Sequence, residues 1–420
     1  MSSYIIQGGK KLSGSIHVAG NKNAVLPIMA STLLVDGETT LTNVPDISDV
    51  AVMLEILEHL GARVNRSERH TVTIDTGKVT GFSIPLELAE KLRASVLFLG
   101  PLYARFGRVE LPHPGGDVIG KRSIDTHLTA MKALGASCKI SDDTYILSRE
   151  ESPSSVSIFL DEPSVTGTEN LIMASIGEGK TVTIHNAATE PHVFDLCTFL
   201  QKAGASVEGA GGHSITVRGK IPLQAVNHTV IPDYIEMGTF AVMAAATAGN
   251  IEITGGNPDD LTAPLRVLSA MGVDLQAKDH SLQVKRSGLF SPEKRVQAMP
   301  HPGFPTDLMS PFIVLATQAR GETLFHDPLY ESRMFFVDKL IRMGAQITIC
   351  DPHRVLVNGP TVLTGRHLAS PDIRAGMALV LAAMIGEGES TIDNAEMIER
   401  GYERIDERLR QLGAEITRSE

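Results

Sequence analysis

The chain is 420 residues long, 42% hydrophobic and 21% charged, with a net charge of −11. That balance suits a globular protein with a sizeable core and excludes a disordered chain, while the acidity argues against a nucleic-acid binder, which presents a basic surface. No run approaches ~18 apolar residues, so no membrane span is expected. The N-terminus lacks the apolar core of a signal peptide. Cys138, Cys197 and Cys350 have no Cys-x-x-Cys spacing, which points to reduced, core-packed thiols rather than disulfides or a metal site. The expectation is a cytoplasmic protein with no metal.

In chain order, Tyr4-Ile5-Ile6 and Gly14-Ser15-Ile16-His17-Val18 read as strands in need of a partner. A strongly apolar segment after Asn21-Lys22-Asn23 runs to Gly37, where a β-like run opens. The amphipathic stretch Val50 to His59 then closes on Leu60-Gly61-Ala62, the pattern of helix, glycine cap and strand. The same succession returns along the chain. The cap glycines Gly61, Gly135, Gly204, Gly272, Gly344 and Gly413 recur at a nearly constant interval. Out of phase with them, at the same interval, run Gly37, Gly107, Gly179, Gly249, Gly321 and Gly388. Each of these ends an apolar segment, such as Phe240 to Ala246 before Gly249.

Six units of about 70 residues follow, longer than ordinary solenoid repeats and suited to small α/β subdomains. The first helix of each unit is apolar nearly all round, so it should be buried inside sheets. The units divide into two lobes of three, residues 22–231 and residues 1–21 plus 232–420. The break is expected near Val230-Ile231-Pro232, with the chain start completing the second lobe.

The functional signal lies where these apolar helices begin. Lys22, Arg93, Thr168, Glu236, Asp307 and Arg374 recur with the period of the repeat. If the helices of a lobe run parallel, their starts gather on one face, and helix N-termini favour anions. Capping is the ordinary explanation for Thr168, Asp233 and Asp307. It does not explain Lys22, Arg93 or Arg374, because a cation at a helix start opposes the dipole. A polyanionic substrate is the natural partner.

At these positions the sequence resembles the enolpyruvyl transferase family, and within it the UDP-N-acetylglucosamine 1-carboxyvinyltransferases. The resemblance rests on Gly20-Asn21-Lys22-Asn23-Ala24, Arg93-Ala94-Ser95 and Pro163-Ser164-Val165-Thr166-Gly167-Thr168-Glu169-Asn170. It continues through Phe304-Pro305-Thr306-Asp307, Asp372-Ile373-Arg374-Ala375 and Arg400-Gly401-Tyr402-Glu403-Arg404-Ile405, from about Ile6 to Ile416. It implies a two-lobed inside-out α/β barrel with an active site in the cleft between the lobes. It also implies transfer of enolpyruvate from phosphoenolpyruvate to the 3-hydroxyl of UDP-N-acetylglucosamine through a tetrahedral ketal, without a cofactor. Peptidoglycan synthesis is the process such an enzyme serves.

By the same resemblance, Lys22 and Arg400 hold the phosphate and carboxylate of phosphoenolpyruvate, Arg122 closes on that group, and Asn23 sits beside them. Arg93, the run Arg122-Ser123-Ile124-Asp125, Ser164, Val165 and Leu329 match positions that contact the UDP-sugar. Asp307 matches the carboxylate beside the attacking hydroxyl, a general base. Arg333, Asp372 and Arg374 line the second lobe, and Glu190 and Asp233 match further cleft carboxylates.

The segment of about 111–123 resembles the family's mobile lid, and Asp117 stands where most members carry cysteine. The implied role is proton donation to the phosphoenolpyruvate methylene, which a carboxylic acid performs if partly protonated. A carboxylate is also a poorer nucleophile than a thiolate, so insensitivity to the epoxide fosfomycin is expected. His113 in the lid and Tyr234 after Asp233 are further departures, with His113 expected to be solvated. The alternatives are the sister transferase that acts on shikimate 3-phosphate and a non-catalytic paralogue that binds UDP-sugars.

Overall fold

The computed structural model describes residues 2–116, 120, 123–150, 155–286 and 291–420. Its contacts separate two compact units. One contains Met1–Ala19 and Pro232–Glu420, the other Gly20–Gly116 and Ser123–Ile231.

Each unit is built around three buried helices. In the Gly20–Ile231 unit these are Lys22–Ser31, Leu99–Phe106 with its 3₁₀ lead-in Arg93–Phe98, and Val165–Ser175. In the other they are Tyr234–Ala246, Met309–Ala316 with the lead-in Thr306–Leu308, and Ile373–Ile385. Every residue of Tyr234–Ala246 is buried, as the all-round apolar pattern requires. Each unit has its own hydrophobic core, with Phe240 and Phe312 in one and Phe98 and Phe199 in the other. Burying a phenylalanine of this kind contributes about 1.5–3 kcal/mol.

Sheets cover these helices in a repeated topology. In five four-stranded sheets among the described residues, one edge strand runs parallel to its neighbour and the other pairings are antiparallel. A three-stranded sheet, Arg108–Pro112, Thr144–Arg149 and Ala136–Ser141, has only the Ser83–Glu110 parallel bridge in place of the fourth strand. The two strands of the chain start find three partners. Ser3–Gln7 lies between Glu389–Asp393 and Glu415–Ser419, and Ser13–His17 pairs in parallel with Asn250–Thr254.

The amphipathic helices show why the glycine series exists. In Ser48–His59 the buried side chains include Val50, Met53, Leu54 and Leu57, one face of a 3.6-residue period. The helix stops at Gly61, and the amide of Ala62 reaches back to the carbonyl of Leu57. All six cap glycines have φ between 93° and 110°, a left-handed region costly to any residue with a Cβ. The second series has one exception. At Gly249 the left-handed residue is Ala248, φ 52°, and the glycine serves a close approach instead. A Cβ there would lie 2.4 Å from the carbonyl oxygen of Leu12.

The cysteines depart from expectation. Cys197 is buried and Cys138 half-buried, but Cys350 is exposed. Its strand, Gln346–Asp351, lies at a sheet edge and its register shifts between Ile349 and Asp351, so Cys350 has no core to enter. Among the described residues no helix is long and apolar enough to cross a membrane, and no cluster of three or more His, Cys, Asp or Glu is arranged to hold a metal ion.

Candidate active site

Within the Gly20–Ile231 unit two buried helices run parallel and in contact. Asn170 accepts from the amide of Gly100 at 2.7 Å and donates to the carbonyl of Val96 at 2.9 Å. Further along both helices, a Cβ on Gly177 would meet Ala104 at 2.8 Å. The contacts advance in the same direction on both, so the starts at Arg93 and Val165 lie at one end.

Lys22 opens its helix behind Asn21, whose side chain accepts from the amide of Ala24. The Lys22 ammonium is 2.6 Å from Asp49 Oδ2, and that carboxylate is only 4% exposed. Asn23 follows at a half-buried position. Arg93 donates to the carbonyl of Ser123 at 3.3 Å. The Ser123 hydroxyl accepts from the amide of Asp125, Ile124 is buried, and Asp125 begins the Asp125–Ala133 helix on the surface. Ser164 caps Val165–Ser175 by accepting from Gly167, with Val165 half-buried as its first residue. Thr168 is not the cap. Its hydroxyl is buried and accepts from the amide of Ala188.

Two residues here carry signals the sequence reading did not use. His127 is buried, shares a 2.9 Å hydrogen bond with the Thr166 hydroxyl, and is held neutral, its pKa lowered to about 3 by burial and by Arg93. Its place two residues after the 122–125 run was the available clue. Glu169 is buried within the Val165–Ser175 helix, and burial followed by the charge of Glu190 pushes its carboxyl well above the ordinary range. Glu190 itself precedes the Pro191–Lys202 helix.

In the other unit the helix starts meet through side chains. Asp307 does not cap its helix, which begins behind Pro305 without a side-chain cap. It receives two guanidiniums instead, Arg333 at 3.1 Å on Oδ1 and Arg374 at 3.0 Å on Oδ2. Arg374, second in its helix, is buried. Burial opposes its charge, but Asp307, Tyr402 and Asp233 outweigh that and hold it firmly protonated. Asp372 and Asp233 are true caps. Asp372 accepts from the amides of Arg374 and Ala375, and Asp233 from those of Ile235 and Glu236. Two cations at helix starts are thus anchored by carboxylates of their own unit, Lys22 by Asp49 and Arg374 by Asp307.

Leu329 is exposed, and its amide is fixed by Asp327 at 2.9 Å. Asp327 was not anticipated. Fully buried, it also holds the amide of Tyr330 and the hydroxyl of Thr306, next to Asp307. Arg400 caps the end of Ala395–Glu399, half-buried. His113 is exposed. Asp117 and Arg122 lie outside the described residues.

A carboxylate held by two arginines, with cations at other helix starts, fits chemistry on anionic substrates. The family described as EPSP synthase (3-phosphoshikimate 1-carboxyvinyltransferase) matches residues 6–409. A UDP-N-acetylglucosamine 1-carboxyvinyltransferase of Treponema denticola is 46% identical, covering 99% of both chains. One from Bradyrhizobium diazoefficiens is 43% identical over 99% of this chain and 97% of its own. Among solved structures, the enolpyruvyl transferase NikO from Streptomyces tendae superposes with a TM-score of 0.89 at 24% identity, covering 100% of this chain and 99% of its own. EPSP synthase from Acinetobacter baumannii does so at 0.77 with 18% identity, covering 100% of both. The chain belongs to the EPSP synthase family of enolpyruvyl transferases.

Proposed function

We propose that the chain transfers enolpyruvate from phosphoenolpyruvate to the 3-hydroxyl of UDP-N-acetylglucosamine and releases phosphate. The observation that carries this is full-length identity of 46% and 43% to two UDP-N-acetylglucosamine 1-carboxyvinyltransferases. The process served is peptidoglycan synthesis, and the cytoplasm is its place.

In the proposed mechanism Asp307 takes the proton from the 3-hydroxyl. Its two arginines keep an acceptor carboxylate aimed in one direction. The sugar oxygen bonds to C2 of phosphoenolpyruvate while Asp117 gives a proton to C3, forming a ketal with a methyl group. Return of a methyl proton to the Asp117 carboxylate and departure of phosphate from C2 then restore the double bond as an enol ether. Lys22, Arg122 and Arg400 bind the phosphate and carboxylate, offsetting charge as phosphate leaves. Asn23 sits beside them, Arg93, Ser123, Ile124, Asp125, Ser164, Val165 and Leu329 bind the nucleotide sugar, and Arg333, Asp372 and Arg374 complete the substrate site, the two arginines also holding Asp307. No metal or organic cofactor takes part.

The test is phosphate release from phosphoenolpyruvate with UDP-N-acetylglucosamine against shikimate 3-phosphate. Release with the nucleotide sugar alone is expected. Release only with shikimate 3-phosphate, or with neither, overturns the assignment.

A further inference from the structure

We propose that Tyr402 and Thr239 position the general base by holding the Arg374 guanidinium against Asp307, an inference that rests on the reaction assigned above. Tyr402 is 1% exposed, and its hydroxyl lies 3.1 Å from Arg374 Nη1 and 3.0 Å from Thr239 Oγ1. The direction of each bond follows from proton counting. Thr239 lies 2.8 Å from the carbonyl oxygen of Ile235, which only accepts, so the threonine proton goes there. Thr239 then accepts from Tyr402, and the phenol oxygen accepts from Arg374. Burial pushes the phenol above its ordinary range, so it stays a neutral donor.

The donors therefore run in one sense, from Arg374 through Tyr402 and Thr239 to a main-chain carbonyl of the Tyr234–Ala246 helix. On the other side, Arg374 Nε and Nη2 each lie 3.0 Å from Asp307 Oδ2. A guanidinium on a flexible stem is thus tied at both ends, and the base it touches inherits that fixity. Gly401 makes the arrangement possible, since a Cβ there would come within 2.5 Å of Ile373 Cγ2 at the start of the Arg374 helix. Among the described residues the charged groups acting on this chain include Asp307, Arg333 and Asp233.

Tyr402→Phe keeps the ring and removes only the link. Expected are a kcat about tenfold lower, KM values within about twofold, and an acid limb of the kcat/KM profile moved to higher pH, because Asp307 is held less firmly. Thr239→Val lowers kcat in the same direction, Thr239→Ser restores it, and Tyr402→Phe with Thr239→Val is no worse than Tyr402→Phe alone, as links of one chain should behave. Normal kcat and pH profile in Tyr402→Phe, or additive effects of the two substitutions, overturn the proposal. Wild-type protein that releases no phosphate sinks the assigned reaction instead. Positioning is then read from the Asp307 carboxyl titration followed by NMR, and an unchanged titration in Tyr402→Phe refutes it.

Discussion

Arg374 bonds Asp307 across 67 residues of chain, at 3.0 Å, from one buried helix start to the next. Together with Arg333 it leaves the carboxylate with little freedom to turn. As the base of the proposed reaction it takes a proton from one direction, and its loss also costs the pairing of two buried cations.

Asp307→Asn is therefore expected to lower kcat by about 10²–10⁴-fold, the range for losing a positioned base. The same change destabilises the fold by about 3–5 kcal/mol, because Arg333 and Arg374 lose their counter-charge. Steady-state kinetics alongside chemical denaturation measures both. Turnover within threefold of normal contradicts the base role.

Asp49→Asn removes the carboxylate 2.6 Å from the Lys22 ammonium. Lysine is a point charge on a flexible stem, so without Asp49 it samples more positions. The KM for phosphoenolpyruvate should rise several-fold with a smaller change in kcat. An unchanged KM separates Lys22 from the phosphate-binding role proposed for it.

Asp117→Asn is expected to abolish most turnover, since an amide cannot donate the methylene proton. Fosfomycin should not inactivate the natural protein with time, and Asp117→Cys should become sensitive, because a thiolate opens an epoxide where a carboxylate does not. Mass spectrometry for a covalent adduct checks both. An adduct on the natural protein refutes the expected insensitivity.

Glu169 sets a pH dependence of stability. Its folded pKa is raised above its unfolded value by burial and Glu190, so the folded protein binds more protons than the unfolded chain between those two values. Stability from this group is full below the ordinary carboxylate range and falls as pH climbs toward the raised value. Glu169→Gln removes the slope and should raise the melting temperature by a few degrees at pH 8, with little effect near pH 4. Equal shifts at both pH values count against this account.

Much of the architecture was legible because the physics that sets it is local. A cap glycine in the left-handed region, an amphipathic stripe and an all-round apolar helix each leave a pattern within one repeat. Six repetitions make that pattern plain. Cations at helix starts were legible for the same reason, since the dipole argument needs only position within the helix. Ala248 shows the limit. Gly249 was read as the end of an apolar segment like the other glycines of its series, yet the left-handed residue fell one position earlier and the glycine was needed for the carbonyl of Leu12, which lies far away in sequence.

The sequence by itself determined the six units, the burial of their first helices and the recurring polar residue at each start. Only the tertiary structure decided what those residues touch. Thr168 and Asp307 looked like caps but bond elsewhere, to Ala188 and to two arginines. Asp49, Asp327, Thr239 and Tyr402 were invisible as partners, because each acts on a residue brought near by packing. Helix periodicity is written in neighbouring residues, whereas a hydrogen bond across 163 positions, as between Thr239 and Tyr402, exists only once the chain has closed on itself.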